Sequence, residues 1–225
     1  MWVDDDIIKQ CHNEMTIKVF SPKDTFVVLG SSNKKETETH IEACKARGIK
    51  VEKRYGGGGT VVLYPGCVVV SIGVWVKDAF LNKKYFCGLN KAVIKTLSSQ
   101  WQSLEGLCQR GISDIAVGDK KVAGTSLFRS RNYLLYQASL LMDLDLPLIN
   151  TCLSYPSREP EYRKNRSHGD FLVGLRDIEP AVTSKDVIAR LQKGLPEQVK
   201  LALLGELIEP DQRQIKHLLK RAGAS

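Results

Sequence analysis

Aromatic residues are scarce in this 225-residue chain, with Phe, Trp and Tyr together at 7%. No basic stretch is interleaved with aromatics, so a stacking platform for nucleic acid is not expected. Histidine is limited to four positions, and the six cysteines (11, 44, 67, 87, 108, 152) include no Cys-x-x-Cys pair and none at metal-ligand spacing from a histidine. That argues against a structural zinc site and leaves the cysteines as reduced thiols, mostly in the core. Long apolar runs are missing as well. The longest, Cys67–Val76, is too short to span a bilayer, and no membrane partner is expected. The opening Met1-Trp2-Val3-Asp4-Asp5-Asp6 is acidic where a signal peptide is basic, so the expected location is cytoplasmic. Internal repeats and low-complexity segments are absent too.

What is present is the composition of one globular domain, 43% hydrophobic and 26% charged, expected to occupy residues 1–225 as a monomer. The net charge of +8 suits an acidic protein partner better than nucleic acid, given the shortage of aromatics.

Short strands are expected at Thr16–Phe20 and Thr25–Leu29, and a helix from Lys34 to Arg47, capped by Asn33 and stopped by Gly48. An N-terminal helix is expected over Asp4–Met15. Strands follow at Ile49–Lys53, Thr60–Leu63 and Cys67–Val76, and Asn82 caps a second helix reaching Leu97. Ile112–Val117 and Lys120–Gly124, joined by Gly118-Asp119, form a hairpin signal, and Tyr133–Asp143 alternates like a strand. Leu146–Cys152 is ambiguous, and Tyr155–His168 is polar and aperiodic, a surface loop. Helices are expected at Ser184–Lys193, Pro196–Gly205 and Pro210–Ala222. This order predicts an α/β (α+β) domain on a mixed, mostly antiparallel sheet flanked by helices, with a helical C-terminal segment from about Ser184.

Two stretches carry chemistry. The first is Gly56–Gly59, four consecutive glycines between strand-like segments, with Arg54 two residues upstream. Glycine weakens a strand, so a run of four points to unusual dihedrals or to a group that must approach the backbone closely. Neither Gly-Lys-Ser/Thr nor Gly-x-Gly-x-x-Gly fits it. A strand–glycine–strand hairpin closing over a ligand remains, beside the plainer reading of a glycine turn.

The second stretch is the hairpin from Ser113-Asp114 to Lys121-Val122-Ala123-Gly124-Thr125. Lys120 and Lys121 point to opposite faces of a strand, so only one can serve a site. Together the two stretches resemble the motifs of lipoate–protein ligases, octanoyltransferases and biotin ligases. Arg54 and Gly57–Gly59 match that superfamily's Arg-x-x-Gly-Gly-Gly, and Ser113-Asp114 with Lys121–Thr125 match its Asn-Asp…Lys-x-x-Gly-Ser/Thr. The resemblance runs from about Thr16 to Leu175 and is nearest the lipoate–protein ligase A type.

It implies a class II synthetase-like fold and activation of lipoate or octanoate with ATP and Mg²⁺ to an acyl-adenylate. The acyl group then passes to a lysine of an acidic lipoyl carrier domain, of the 2-oxoacid dehydrogenase E2 or glycine-cleavage H type. It further implies Lys121 as the catalytic cation and Arg54, Gly57, Gly58, Gly59, Thr60, Asp114, Gly124, Thr125 and Gln137 as substrate or acyl-adenylate contacts. Arg54 would lie on the phosphate side and Asp114 would contact nucleotide or Mg²⁺. Some members need an accessory domain or subunit. The chain departs from the pattern at Leu63-Tyr64, where a His usually follows the glycines, at Tyr136-Gln137-Ala138 and at Ser113. Asn150-Thr151-Cys152 resembles the Asn-Pro-Cys of one octanoyltransferase group, which implies a rival reading: a Cys152 thioester and no ATP, against a buried core thiol. His168 either positions substrate or is structural. A non-catalytic binding module of the same fold is the third reading.

Overall fold

The computed structural model describes residues 3–223, so Met1 and Trp2 of the acidic opening, and the last two residues of the expected domain, lie outside the described residues. The elements run α1 (Val3–Ile8), β1 (Met15–Phe20), β2 (Phe26–Leu29), α2 (Lys35–Glu38), α3 (Ile41–Ala46), β3 (Lys50–Lys53), β4 (Val61–Leu63), β5 (Cys67–Trp75) and α4 (Asn82–Ser98). They continue with β6 (Leu107–Arg110), β7 (Asp114–Val117), β8 (Lys120–Ser130), β9 (Tyr133–Leu141), α5 (Leu146–Cys152), α6 (His168–Phe171), α7 (Leu175–Ile178), α8 (Ser184–Ala202) and α9 (Gln212–Arg221). No helix among the described residues is long and apolar enough to cross a membrane.

The strands form two sheets. The larger is antiparallel throughout, in the order β1-β5-β9-β8-β7-β6, and the smaller is β3-β2-β4 with one parallel pair. All nine residues of β5 are buried, because both of its faces are covered. Val68, Val70, Ile72 and Val74 join Leu134, Tyr136, Ala138 and Leu140 of β9 in the main core, with Leu89, Val93 and Leu97 of α4 and Leu191, Leu195 and Val199 of α8. Val69 turns the other way and packs with Val28 and Leu63 of the smaller sheet. The alternation read from β9 therefore holds. Its Gln137 and Ser139 face the space between the sheets, where a site can form.

Several expectations are corrected. The glycine run is no hairpin, because β3 and β4 pair with opposite edges of β2 and the run crosses over the end of that strand. The helix expected over Lys34–Arg47 is two short pieces. Thr39 leaves helical geometry to bridge Leu153, and the His40 amide donates to the Cys152 carbonyl (3.0 Å). Asn33 does not cap it; its side-chain amide donates to Thr60 Oγ1 at 3.1 Å. α1 ends at Ile8, and Met15 already belongs to β1. β6 was not expected, and β8 runs on to Ser130. Pro196 sits inside one continuous helix, α8, flanked by buried Leu195 and Val199. Burying that face offsets a backbone cost of about 3 kcal/mol for an internal proline.

Gly30, at the end of β2, lies directly under the crossing run. A Cβ there would stand 2.1 Å from the Gly58 carbonyl oxygen. Gly30→Ala should therefore cost about 1–3 kcal/mol of stability, the usual range for forced overpacking, measured by denaturant unfolding. Gly57→Ala, where an added Cβ meets nothing within 4 Å, should cost clearly less in the same assay.

Candidate active site

Arg54 leaves β3 and turns inward, and its exposure is 8%. Its guanidinium donates to the carbonyls of Gly57 (Nη2 2.8 Å, Nε 3.2 Å), Gly59 (Nη2 2.7 Å) and Val28 (Nη1 3.4 Å). Expected on a phosphate, this cation instead holds the shape of the glycine run. Burial pulls its pKa down to about 10, opposed by the charge of Asp4. Asp4 is itself buried and accepts from the Tyr55 amide (2.7 Å) and Gln137 Nε2 (2.7 Å), tying α1, the start of the run and β9 together.

The hairpin is shaped by a bulge. Ile115 pairs with Ala123 but Ala116 pairs with Lys121, so Val122 is the extra residue. Val122 and Ala123 both enter the core, while Lys121 and Gly124 share the opposite face. A Cβ on Gly124 would lie 3.1 Å from Lys121 Nζ. Lys120 is exposed and plays no part. Lys121 Nζ pairs with Asp114 Oδ1 at 2.8 Å, and Asp114 Oδ2 accepts from the Tyr162 hydroxyl at 2.9 Å. The Lys121 carbonyl accepts from the Val173 amide, which fixes its backbone (3.0 Å).

Between the sheets lies a cleft of about 970 Å³. Gly59 and Thr60 line one side of it, and Asp114, Lys121 and Gly124 another. Val61, Val62, Leu141, Ile149, Leu153 and Leu172 make an apolar wall. A narrower recess of about 90 Å³ continues beneath the run, against Arg54, Thr125, Ser126 and Gln137. The bare run and the ammonium thus meet over one cavity. Gly57 and Gly58 do not line it: Gly58 takes a φ of +96°, which glycine adopts freely, and rests its carbonyl on Gly30. Thr125 closes the hairpin by donating to the Ser113 carbonyl.

Cys152 is fully buried at the end of α5 and does not line the cleft. Burial pushes its thiol up to about 11, with the neighbouring Cys44 adding to the shift. His168 lines the cleft, with Nδ1 3.2 Å from Asn150 Oδ1. Burial and the charges of Arg163 and Lys121 lower its pKa to about 4, so it is neutral at pH 7.

The aperiodic polar segment is an ordered wall of the cleft. Arg163 is 5% exposed, its guanidinium lies over the rings of Tyr155 and Phe171, and its Nη2 is buried with no hydrogen-bond partner. Glu38, also 5% exposed, accepts from the hydroxyls of Ser157 and Thr60. Glu38, Tyr162 and Arg163 went unnoticed in the sequence; the only signal was the clustering of arginines at Arg158–Arg166.

Two outcomes follow from these environments. In native protein a water-soluble disulfide reagent should label Cys87 and Cys108, the exposed thiols, and reach Cys11, Cys44, Cys67 and Cys152 only on unfolding. Because the folded pKa of His168 falls from 6.5 to about 4, the unfolded chain binds more protons between those values. The stability linked to His168 is complete above about pH 6.5 and is lost as pH falls towards about 4, so His168→Asn should flatten the unfolding free energy across that window.

The family model for the lipoyl protein ligase A/B catalytic domain matches residues 2–196. Octanoyltransferase LipM of Clostridioides difficile is 22% identical over 238 aligned residues, covering 95% of this chain and 86% of the relative. Two further curated relatives, lipoate–protein ligase 1 of Plasmodium falciparum and an octanoyltransferase LipM of Kyrpidia tusciae, are 25% and 32% identical over matches that span 34% of their own length. Among solved structures, the bipartite lipoate–protein ligase of Thermoplasma acidophilum, described with its E2 lipoyl domain, superposes with a TM-score of 0.71 at 19% identity, covering 97% of this chain and 84% of that one. A lipoate–protein ligase A bound with ATP gives 0.69 at 21%, covering 96% and 85%. Such identities speak to the fold, which is the class II synthetase-like arrangement of an antiparallel sheet flanked by helices. With the family model matching most of its length, the chain belongs to the family of the lipoyl protein ligase A/B catalytic domain.

Proposed function

We propose that this protein is an ATP-dependent lipoate–protein ligase. One observation carries the reading. Lys121 and the Gly59–Thr60 backbone face a common cleft with an apolar wall, while Cys152 lies buried away from it. A thioester mechanism needs an accessible thiolate, and a thiol raised to about 11 is a poor candidate. The relative named an octanoyltransferase favours the alternative, Cys-dependent transfer without ATP, which the same experiment addresses.

In the ligase reading the acyl chain lies along Val61, Val62 and Leu153, where each buried methylene contributes about 0.8 kcal/mol. Its carboxylate reaches Lys121. A carboxylate oxygen attacks the α-phosphorus of ATP, the α–β bridging bond breaks and pyrophosphate leaves. Lys121 stabilises the charge that develops on the carboxyl and phosphate oxygens. An acceptor lysine amine then attacks the acyl carbon, the carbon–oxygen bond to phosphate breaks and AMP departs, with the amine proton passing to solvent. The Gly59 and Thr60 backbone limits water at the mixed anhydride.

Among the described residues no group of three or more His, Cys, Asp or Glu could hold a metal by itself. That fits Mg²⁺ arriving with a triphosphate, since it commonly uses one or two carboxylates plus phosphate oxygens. Asp114 would hold it through the lone pairs that Lys121 and the Tyr162 hydroxyl leave unused, and the ion would neutralise phosphate charge. Arg163, with a buried unpartnered Nη2 in the cleft wall, suits an anionic ligand group. The arginines of the polar segment and the positive net charge suit an acidic acceptor such as a lipoyl domain. A second subunit, as in the bipartite Thermoplasma ligase, would be an additional component.

The decisive assay is ATP–pyrophosphate exchange with lipoic or octanoic acid. Acid-dependent exchange should occur, survive Cys152→Ala and fall by two or more orders of magnitude in Lys121→Ala. Acyl transfer from a carrier thioester that vanishes with Cys152→Ala would establish the transferase instead. Neither activity, with or without an added partner subunit, would leave a binding module.

A further inference from the structure

Asp114 is held from two sides. Oδ1 accepts from Lys121 and Oδ2 from the Tyr162 hydroxyl, so a residue of the polar segment touches the carboxylate that fixes the ammonium. Asp114 is 5% exposed, and the Lys121 side chain is 22% exposed. A half-buried ammonium tied to one oxygen of a carboxylate is only as well placed as that carboxylate, and a hydrogen bond to its other oxygen removes the remaining rotation about the Cβ–Cγ bond.

Tyr162 is itself built in. Its ring lies 5.2 Å from that of Phe171, and the Arg110 guanidinium stands over it at 5.4 Å. Gly111, at a φ of +57°, brings backbone close to that ring, since a Cβ there would sit 3.7 Å from Tyr162 Cε1. The Tyr162 carbonyl accepts from Arg166 Nη2 at 2.8 Å. The same guanidinium reaches the turn between β7 and β8, bonding Asp119 Oδ2 (2.9 Å) and the Asp119 carbonyl (2.8 Å). The segment is therefore strapped to the hairpin at both ends of β7.

We infer that Tyr162 is a positioning residue for Lys121, acting through Asp114, and that the polar segment is thereby part of the catalytic frame as well as a wall of the cleft. The inference rests on the ligase reading for its kinetic consequences but not for its geometry. Tyr162 forms no bond to the reacting atoms. It sets where the ammonium stands when the acid and the α-phosphate arrive.

The test compares Tyr162→Phe, Asp114→Asn and the double variant with the wild-type chain. The phenylalanine keeps the ring contacts and deletes only the hydroxyl. In acid-dependent ATP–pyrophosphate exchange, kcat should fall about tenfold in Tyr162→Phe, the scale of one hydrogen bond to a charged group, while KM for acid and for ATP stays within about twofold. On top of Asp114→Asn, the second change should cost almost nothing, because the path from Tyr162 to Lys121 is already cut. Additive losses, or a KM effect at unchanged kcat, would overturn the inference. An independent readout serves even without ligase activity: acylation of Lys121 by a small anhydride, followed by peptide mass spectrometry. Labelling should quicken several-fold in both Tyr162→Phe and Asp114→Asn; a rate unchanged in Tyr162→Phe but raised in Asp114→Asn overturns the inference. Wild-type protein that lacks exchange sinks the ligase reading and leaves the labelling result to decide this one.

Discussion

A buried guanidinium folded onto backbone carbonyls sets the geometry on which the cleft depends. Arg54 spans the carbonyls of Val28, Gly57 and Gly59, so one side chain defines where the glycine run lies relative to the end of β2. Four glycines in a row have little intrinsic conformational preference, and left alone they would sample many crossings. Charge-assisted bonds to three carbonyls remove that freedom and also satisfy oxygens that the crossing would otherwise bury unpaired. Gly30 completes the arrangement by offering no side chain beneath the Gly58 carbonyl. The run can then pass close to β2 and present Gly59 and Thr60 to the cavity.

The opposite wall relies on a different irregularity. A regular hairpin would send Lys121 and Gly124 to opposite faces, since side chains alternate along a strand. The extra residue at Val122 resets that alternation, so Val122 and Ala123 fill the core while Lys121 and Gly124 look into the cleft. Gly124 then leaves the space next to Nζ unfilled. The local twist of a bulge is cheap beside the burial of Ile115, Val122 and Ala123 in the main core, which keeps the hairpin rigid behind the ammonium.

The two sheets are in apolar contact at Val28, Leu63 and Val69, and Gln137 and Ser139 of β9 beside that contact line a cavity. The polar face of β9, with Gln137 and Ser139, would be anomalous in a core and makes sense only beside such a space. Cys152 shows the converse. The likeness of Asn150-Thr151-Cys152 to Asn-Pro-Cys suggested a nucleophile, yet the backbone bonds between Thr39–His40 and the end of α5 pull Cys152 into a small cluster with Val27, Cys44 and Cys67.

Much was legible in the chain itself, because it depended on local chemistry. The continuous apolar run of β5, the alternation of β9, turn residues at Gly48 and Gly118-Asp119, and the order of the two motifs made the antiparallel α/β architecture and the family readable. The run and Lys121 were recognisable only as a pair, because the two motifs stand in the order and separation of a known superfamily; alone, a glycine turn and a hairpin lysine are ordinary surface features. Other features depended on partners far along the chain. Arg54 turned to carbonyls rather than outward because burial in the structure offered acceptors that no spacing could announce. Helix α8 passed through Pro196 because its two apolar flanks pack on α4 and the sheet, overriding a local breaker. The polar segment carried no periodicity, so its ordering by Phe171, Asp119 and Asp114 belonged entirely to tertiary contacts. Local propensity and motif spacing determined which elements and reactive groups the protein has. Long-range packing and burial decided which of those groups share the cavity.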